Sequence, residues 1–144
     1  MKILLAVDGS ENSLRAARTA LRLSKLNPGV SVTALYVGPS CYKIFPEPGS
    51  CTWLQQKELD QEIEARAEKV FAAVEEIFQA EGLTVNKAVE RGDAAEAICR
   101  LAAEGCFDLI IIGSRGFGDL KSLFLGSVSH KVLHLAPCPV MVVR

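Results

Sequence analysis

Residues Asp108 to Val128 read DLIIIGSRGFGDLKSLFLGSV, and this stretch decides the fold. Leu109 to Ile112 is a short, uninterrupted apolar run of the kind that forms a strand buried on both faces, as in a parallel sheet. Gly113 breaks it into a glycine-rich loop, and a helix is expected to begin again near Ser127. A strand that empties into a loop and then a helix N-terminus offers unpaired backbone N–H groups and the positive end of a helix dipole together. Phosphate is the natural guest of such an arrangement.

The glycines Gly113, Gly116 and Gly126 follow a G-x2-G-x9-G spacing with Ser127 directly after, so backbone without Cβ can approach a ligand at two places. Arg115 lies inside the first turn, and Lys121 and Lys131 flank the second. The common phosphate motifs do not fit. Asp119 stands where a P-loop requires Lys, and Lys121 occupies the third glycine position of a dinucleotide fingerprint. Spacing alone leaves open that these glycines only turn a surface loop.

Outward from this stretch, the chain alternates apolar runs with helical periodicity. Ile3 to Val7 reads as a buried strand ending in the turn Asp8-Gly9-Ser10. Leu14, Ala17 and Leu21 repeat at helical spacing from about Glu11 to Leu26, and Asn27-Pro28-Gly29 stops that helix. Val30 to Val37 is a second strand, which makes the first two strands a parallel pair with a right-handed crossover. Gly38 to Thr52, with its prolines and glycines, reads as a surface excursion. A long helix is expected from about Trp53 to Glu81, with Ile63, Ala67, Val70, Val74 and Ile77 as its apolar stripe and Gly82 as its cap. Leu83 to Val89 is a third strand. Asp93 and Glu96 resemble a capping box that opens a helix ending near Gly105. Ser127 to Leu135 is the last helix, Ala136-Pro137-Cys138-Pro139 ends it, and Val140 to Val143 is the fifth strand. Five apolar strands alternating with helices predict an α/β fold: a doubly wound, open parallel sheet, Rossmann-like, with helices on both faces.

Length and composition agree with one globular domain over residues 1–144. Hydrophobic residues at 49% and charged residues at 23% are ordinary for a globular chain. A net charge of −1 provides no broad electrostatic footprint for nucleic acid. No apolar run is long enough to span a bilayer, and Asp8 ends the N-terminal run too early for a signal peptide, so no membrane partner and a cytoplasmic location are expected. The cysteines, Cys41, Cys51, Cys99, Cys106 and Cys138, are odd in number and contain no C-x-x-C pair. That suits a reducing compartment better than a disulfide framework.

The motifs G-S-R-G from Gly113, L-G-S-V-S-H-K-V-L from Leu125 and A-P-C-P-V-M-V-V from Ala136 resemble the signature of the universal stress protein family, in its ATP-binding branch. The opening I-L-L-A-V-D-G-S-E-N-S from Ile3 is similar to that family's N-terminus, and the likeness spans the chain apart from roughly residues 38–54. The resemblance implies strand order 3-2-1-4-5, which sets the end of strand one beside the end of strand four. Ligands of such sheets bind where strand order reverses.

In that crevice Asp8 is placed to accept from a ribose hydroxyl or hold Mg²⁺ through water, although an Asp there also serves to cap a turn or helix. Ser10 suits the capping role better. The family sets the base against Val37, in Leu35-Tyr36-Val37, where its motif more often carries His; a plain core valine is the other reading. Gly113, Arg115, Gly116, Gly126, Ser127 and Val128 would surround the phosphates, chiefly through backbone N–H groups. The implied ligand is ATP, or AMP or ADP, with Mg²⁺. The implied assembly is a homodimer through Val140 to Val143, beside an unidentified protein partner. His130 and His134 have metal-ligand spacing but lack a third ligand, so no metal centre is expected. With no Ser-His-Asp set and no paired carboxylates, binding is expected rather than catalysis. The alternatives are a slow ATPase or an enzyme like the ATP pyrophosphatases, and a nucleotide-free interaction module.

Overall fold

Each apolar run bounded by turn residues becomes a strand in the computed structural model, which describes residues 1–117 and 125–144. The elements are β1 Lys2–Ala6, α1 Glu11–Leu26, β2 Ser31–Gly38, α2 Cys41–Ile44, α3 Trp53–Gln79, β3 Asn86–Arg91, α4 Ala94–Glu104, β4 Leu109–Gly113, α5 Ser127–Leu135 and β5 Val140–Val143. The strands form one sheet in the order β3-β2-β1-β4-β5, every pair parallel. The expected doubly wound α/β architecture is therefore the one observed.

Alternation along β1 divides the core. Ile3, Leu5 and Val7 join Ala16, Ala17 and Ala20 of α1 and Ala67, Phe71, Val74 and Phe78 of α3 on one face. Leu4 and Ala6 face Ala95, Ile98 and Ala102 of α4 and Val132 of α5 on the other. The alanines of α1 remove side-chain bulk where the helix meets the sheet, so the N-terminal end of α1 reaches the backbone of β4. A Cβ on Gly113 would stand 2.8 Å from the carbonyl carbon of Asn12 and 2.9 Å from the nitrogen of Ser13.

The sequence reading needs correction at several places. The stripe of α3 runs through Phe71 and Phe78, with Val70 and Ile77 half-buried beside it. The third strand begins at Asn86 rather than Leu83, because the end of α3 continues as a turn in which the Leu83 amide donates to the Phe78 carbonyl (3.1 Å). Gly82 does close the helix, at φ +68°. The Asp93 side chain accepts from the Glu96 amide, but the Glu96 carboxylate binds Lys131 instead of returning to the cap, so the box is half formed. The complete box is at α3, where Thr52 and Gln55 satisfy each other's backbone amides. The excursion after β2 contains the short helix α2, and although the cysteine count argued against a disulfide framework, Cys41 and Cys51 are joined by a disulfide with their Cα atoms 6.1 Å apart.

Among the described residues, no helix is long and apolar enough to cross a membrane.

Candidate functional site

The reversal of strand order falls between β1 and β4, where Ala6 lies opposite Ile112. The chain leaves β1 at Asp8 and leaves β4 beyond Gly113, so these two distant loops meet at one end of the sheet. Between them is a pocket of about 420 Å³. Asp8, Val37, Gly113, Arg115, Gly116, Gly126, Ser127 and Val128, the residues singled out from the sequence, all line it, together with Ser13 and Ser129.

The pocket has two chemically distinct kinds of lining. Ala6, Leu35, Val37, Ala94, Ile98 and Ile112 make up the apolar one. The other is built from loop backbone and the start of α5. Three helices begin near this pocket, and their caps differ. Ser10 accepts from the Ser13 amide at the start of α1 (3.3 Å), and Asp93 from the Glu96 amide at the start of α4 (3.1 Å). The cap of α5 is Gly126, which has no side chain to offer, so no side-chain cap takes its first-turn amides. Those donors and the positive end of the α5 dipole remain available to an anion.

Asp8 holds its turn and also lines the pocket. Its Oδ1 accepts from the Ser10 amide (2.9 Å), fixing the turn at Gly9 (φ +86°), while its carboxylate lines the pocket. Ser10 supplies the helix cap. Gly116 lies against the same carboxylate: a Cβ there would come within 2.6 Å of Asp8 Oδ2. Gly116 thus lets the second loop close onto the first, whereas Gly113 is committed to packing against α1.

A contact that the sequence did not announce holds the two halves of the glycine loop together. The Gly126 amide donates to the Ser114 carbonyl (2.8 Å), and the buried Ser129 hydroxyl reaches the carbonyls of Ser114 and Gly126, each at 2.9 Å. A serine inside a helix carries no sequence signal for such a role. Ser114 is itself 2% exposed, and its hydroxyl finds no partner among the described residues.

Charge within the pocket is sparse. Arg115 is the basic group and Asp8 the acidic group among the described lining residues. Lys131, expected to flank the second glycine turn, instead bonds Asp93 (3.1 Å) and Glu96 (2.9 Å), clasping α5 to α4. Lys121 lies outside the described residues. The hydrogen bond from the Glu96 amide, helped by the Lys131 ammonium, holds the Asp93 carboxyl below the usual carboxylate range. The His130 and His134 rings sit 4.8 Å apart, but no group of three potential metal ligands occurs among the described residues.

The sequence profile of the Universal stress protein family matches residues 1–144. Universal stress protein YxiE of Bacillus subtilis is 32% identical over 146 residues, covering 99% of this chain and 98% of that protein. Universal stress protein UspA from Lactobacillus plantarum has a similar structure, with a TM-score of 0.80 at 23% identity over 100% of this chain and 97% of that one. The universal stress protein from Archaeoglobus fulgidus, solved in complex with dAMP, aligns with a TM-score of 0.69 at 22% identity, over 100% of this chain and 98% of that one.

Proposed function

The chain belongs to the universal stress protein family, and from this we propose that it is an adenine-nucleotide-binding member whose ligand is ATP. One observation carries the reading: the loop after β1 and the loop after β4 meet around a pocket lined both by apolar side chains and by the uncapped start of α5. Such a pocket suits a molecule with a flat apolar base and an anionic tail. The base lies between Val37 and Ile98, where the end of β2 also supplies backbone groups for its edge. The phosphates lie against Gly113 to Gly116 and the start of α5. The binding of dAMP by the Archaeoglobus fulgidus relative is consistent with this choice of ligand class.

Asp8 suits Mg²⁺ as well as ribose, because Mg²⁺ keeps much of its water and is held by one or two carboxylates beside substrate phosphates. The proposal assigns binding rather than turnover, because Asp8 is the only carboxylate among the described lining residues and the Ser10 amide already engages it. The role is regulatory: occupancy fixes the loops and thereby the surface offered to a protein partner, in the cytoplasm and in response to stress. We further propose a homodimer through β5. No described strand pairs with its outer edge, and Met141 is 37% exposed on it. Light scattering at micromolar concentration would give the dimer mass, and a monomer mass would remove that part of the reading.

Isothermal titration with ATP, ADP and AMP, each with and without Mg²⁺, tests the central claim. Saturable binding of ATP at one site per chain is expected, weakened by EDTA more for ATP than for AMP. Absence of heat with all three nucleotides at millimolar concentration would refute it.

A further inference from the structure

The segment that leaves the pocket wall at Val37 returns to the body of the molecule at Thr52, and the Cys41–Cys51 bond closes it on itself. We infer that Cys41 and Cys51 are a reversible dithiol–disulfide pair, oxidised by a low-molecular-weight disulfide, and that their bond sets the order of residues 39–52.

Three observations support this. The first is geometric: a Cα separation of 6.1 Å is within the range that a disulfide spans without moving the backbone. The second is the asymmetry of the pair. Cys41 is 2% exposed at the start of α2, whereas Cys51 is half-buried and reachable from solvent. The third is the state of the other cysteines, because Cys106 is exposed and unpaired. A free exposed thiol suits a reducing compartment, where the disulfides that do form are mostly transient, catalytic or sensing. Cys99 and Cys138 are poor competitors, since burial pushes both thiols up and so keeps them protonated.

The step balances. The Cys51 thiolate attacks one sulfur of the small disulfide RSSR and releases RS⁻, leaving a mixed disulfide on Cys51. The Cys41 thiolate then attacks the Cys51 sulfur and expels the second RS⁻. Two protein thiols are oxidised and one RSSR is reduced to two RSH. In reverse, RS⁻ attacks the accessible Cys51 sulfur and Cys41 leaves.

Most other ties within the segment are short-range. Lys43 and Phe45 amides donate to Ser40 and Cys41 carbonyls, and the Ser50 hydroxyl turns back to Phe45 and Glu47. Removing the bond therefore frees the segment between two fixed points. One is Gly38, where a Cβ would meet Ile63 at 2.7 Å, and the other is the capping box at Thr52. The segment also lies close enough to α4 for the Lys43 charge to act on Asp93, beside the pocket-lining Ala94.

The experiment equilibrates the full, folded chain in glutathione buffers from fully reduced to fully oxidised, quenches with a maleimide, and maps labels by peptide mass. Cys41 and Cys51 are expected to lose label together, to regain it on return to reducing buffer, and to do so while Cys99 and Cys138 do not change. Hydrogen exchange of amides 40–52 is expected to slow on oxidation. In Cys41→Ser, glutathione should accumulate on Cys51, which then has no partner thiol to expel it. The inference is overturned if the pair stays labelled at the oxidising limit, if the bond resists reducing buffer until the chain unfolds, or if exchange over 40–52 is the same in both states. The wild-type titration decides the matter even if a serine variant does not fold.

Discussion

Two glycines of one motif carry different burdens, and single substitutions separate them. A methyl group at Gly116 would press within 2.6 Å of Asp8 Oδ2, the mobile end of a side chain at the pocket. Gly116→Ala is therefore expected to displace the carboxylate, weaken ATP binding by about tenfold or more, and leave the unfolding midpoint nearly unchanged. A methyl group at Gly113 would instead meet the backbone of Asn12 and Ser13 at 2.8 and 2.9 Å, where nothing can rotate away. Gly113→Ala is expected to cost roughly 1–3 kcal/mol of stability in chemical denaturation, the ordinary penalty of overpacking. Equal losses of binding and stability in both variants would show that the distinction is wrong. Ser129 belongs to the same scale. Its hydroxyl binds two carbonyls of the glycine loop, which only the folded backbone brings together, so sequence reading passes over it.

At the scale of elements, the contrast between capped and uncapped helices gives α4 a measurable acid response. Asp93 caps α4 and its carboxyl is held below the usual carboxylate range by the Glu96 amide and the Lys131 ammonium. A depressed folded-state pKa means that the stabilisation is complete above the unfolded value of about 3.9 and is lost as pH falls through the lower, folded value. Asp93→Ala should therefore be less stable than the wild type by about 1 kcal/mol near neutral pH, the usual worth of a cap, with the gap narrowing below about pH 4. A gap that does not change from neutral pH to acid would refute the ionic part of this account. Elements of this kind were the most legible part of the sequence: apolar runs marked the strands, and Ser10, Asp93 and Gly82 marked helix ends. The stripe of α3 was misread because its buried positions advance 63, 67, 71, 74, 78, close to the natural helical period, whereas a 3.5-residue repeat selects Val70 and Ile77. Helix α2 and the Cys41–Cys51 bond escaped because four residues carry no periodicity and cysteine spacing does not fix pairing.

At the scale of the molecule, the pocket lies across the seam where β1 and β4 meet, so the proposed ligand would join the β1–β2 side to the α5 side. The eight residues chosen from the sequence line one pocket because the strand order, which the family resemblance implied, brings their loops together. The same placement makes ligand binding and global stability one measurement. At ATP about 100 times its dissociation constant, mass action adds about 2.7 kcal/mol to the folded state. For a chain of 144 residues this raises the unfolding midpoint by roughly 5–10 °C. On the proposed site, adenine would engage only the apolar lining and tripolyphosphate only the amides, so each alone at matched concentration should give a smaller rise than ATP. Gly116→Ala should reduce the response to ATP and tripolyphosphate while leaving that to adenine nearly intact, because its clash falls on Asp8 and the loop rather than on Val37 and Ile98. If tripolyphosphate alone reproduced the full shift, the site would be a general polyanion cradle. The apolar wall of Leu35, Val37 and Ile98 would then have no part in choosing the ligand.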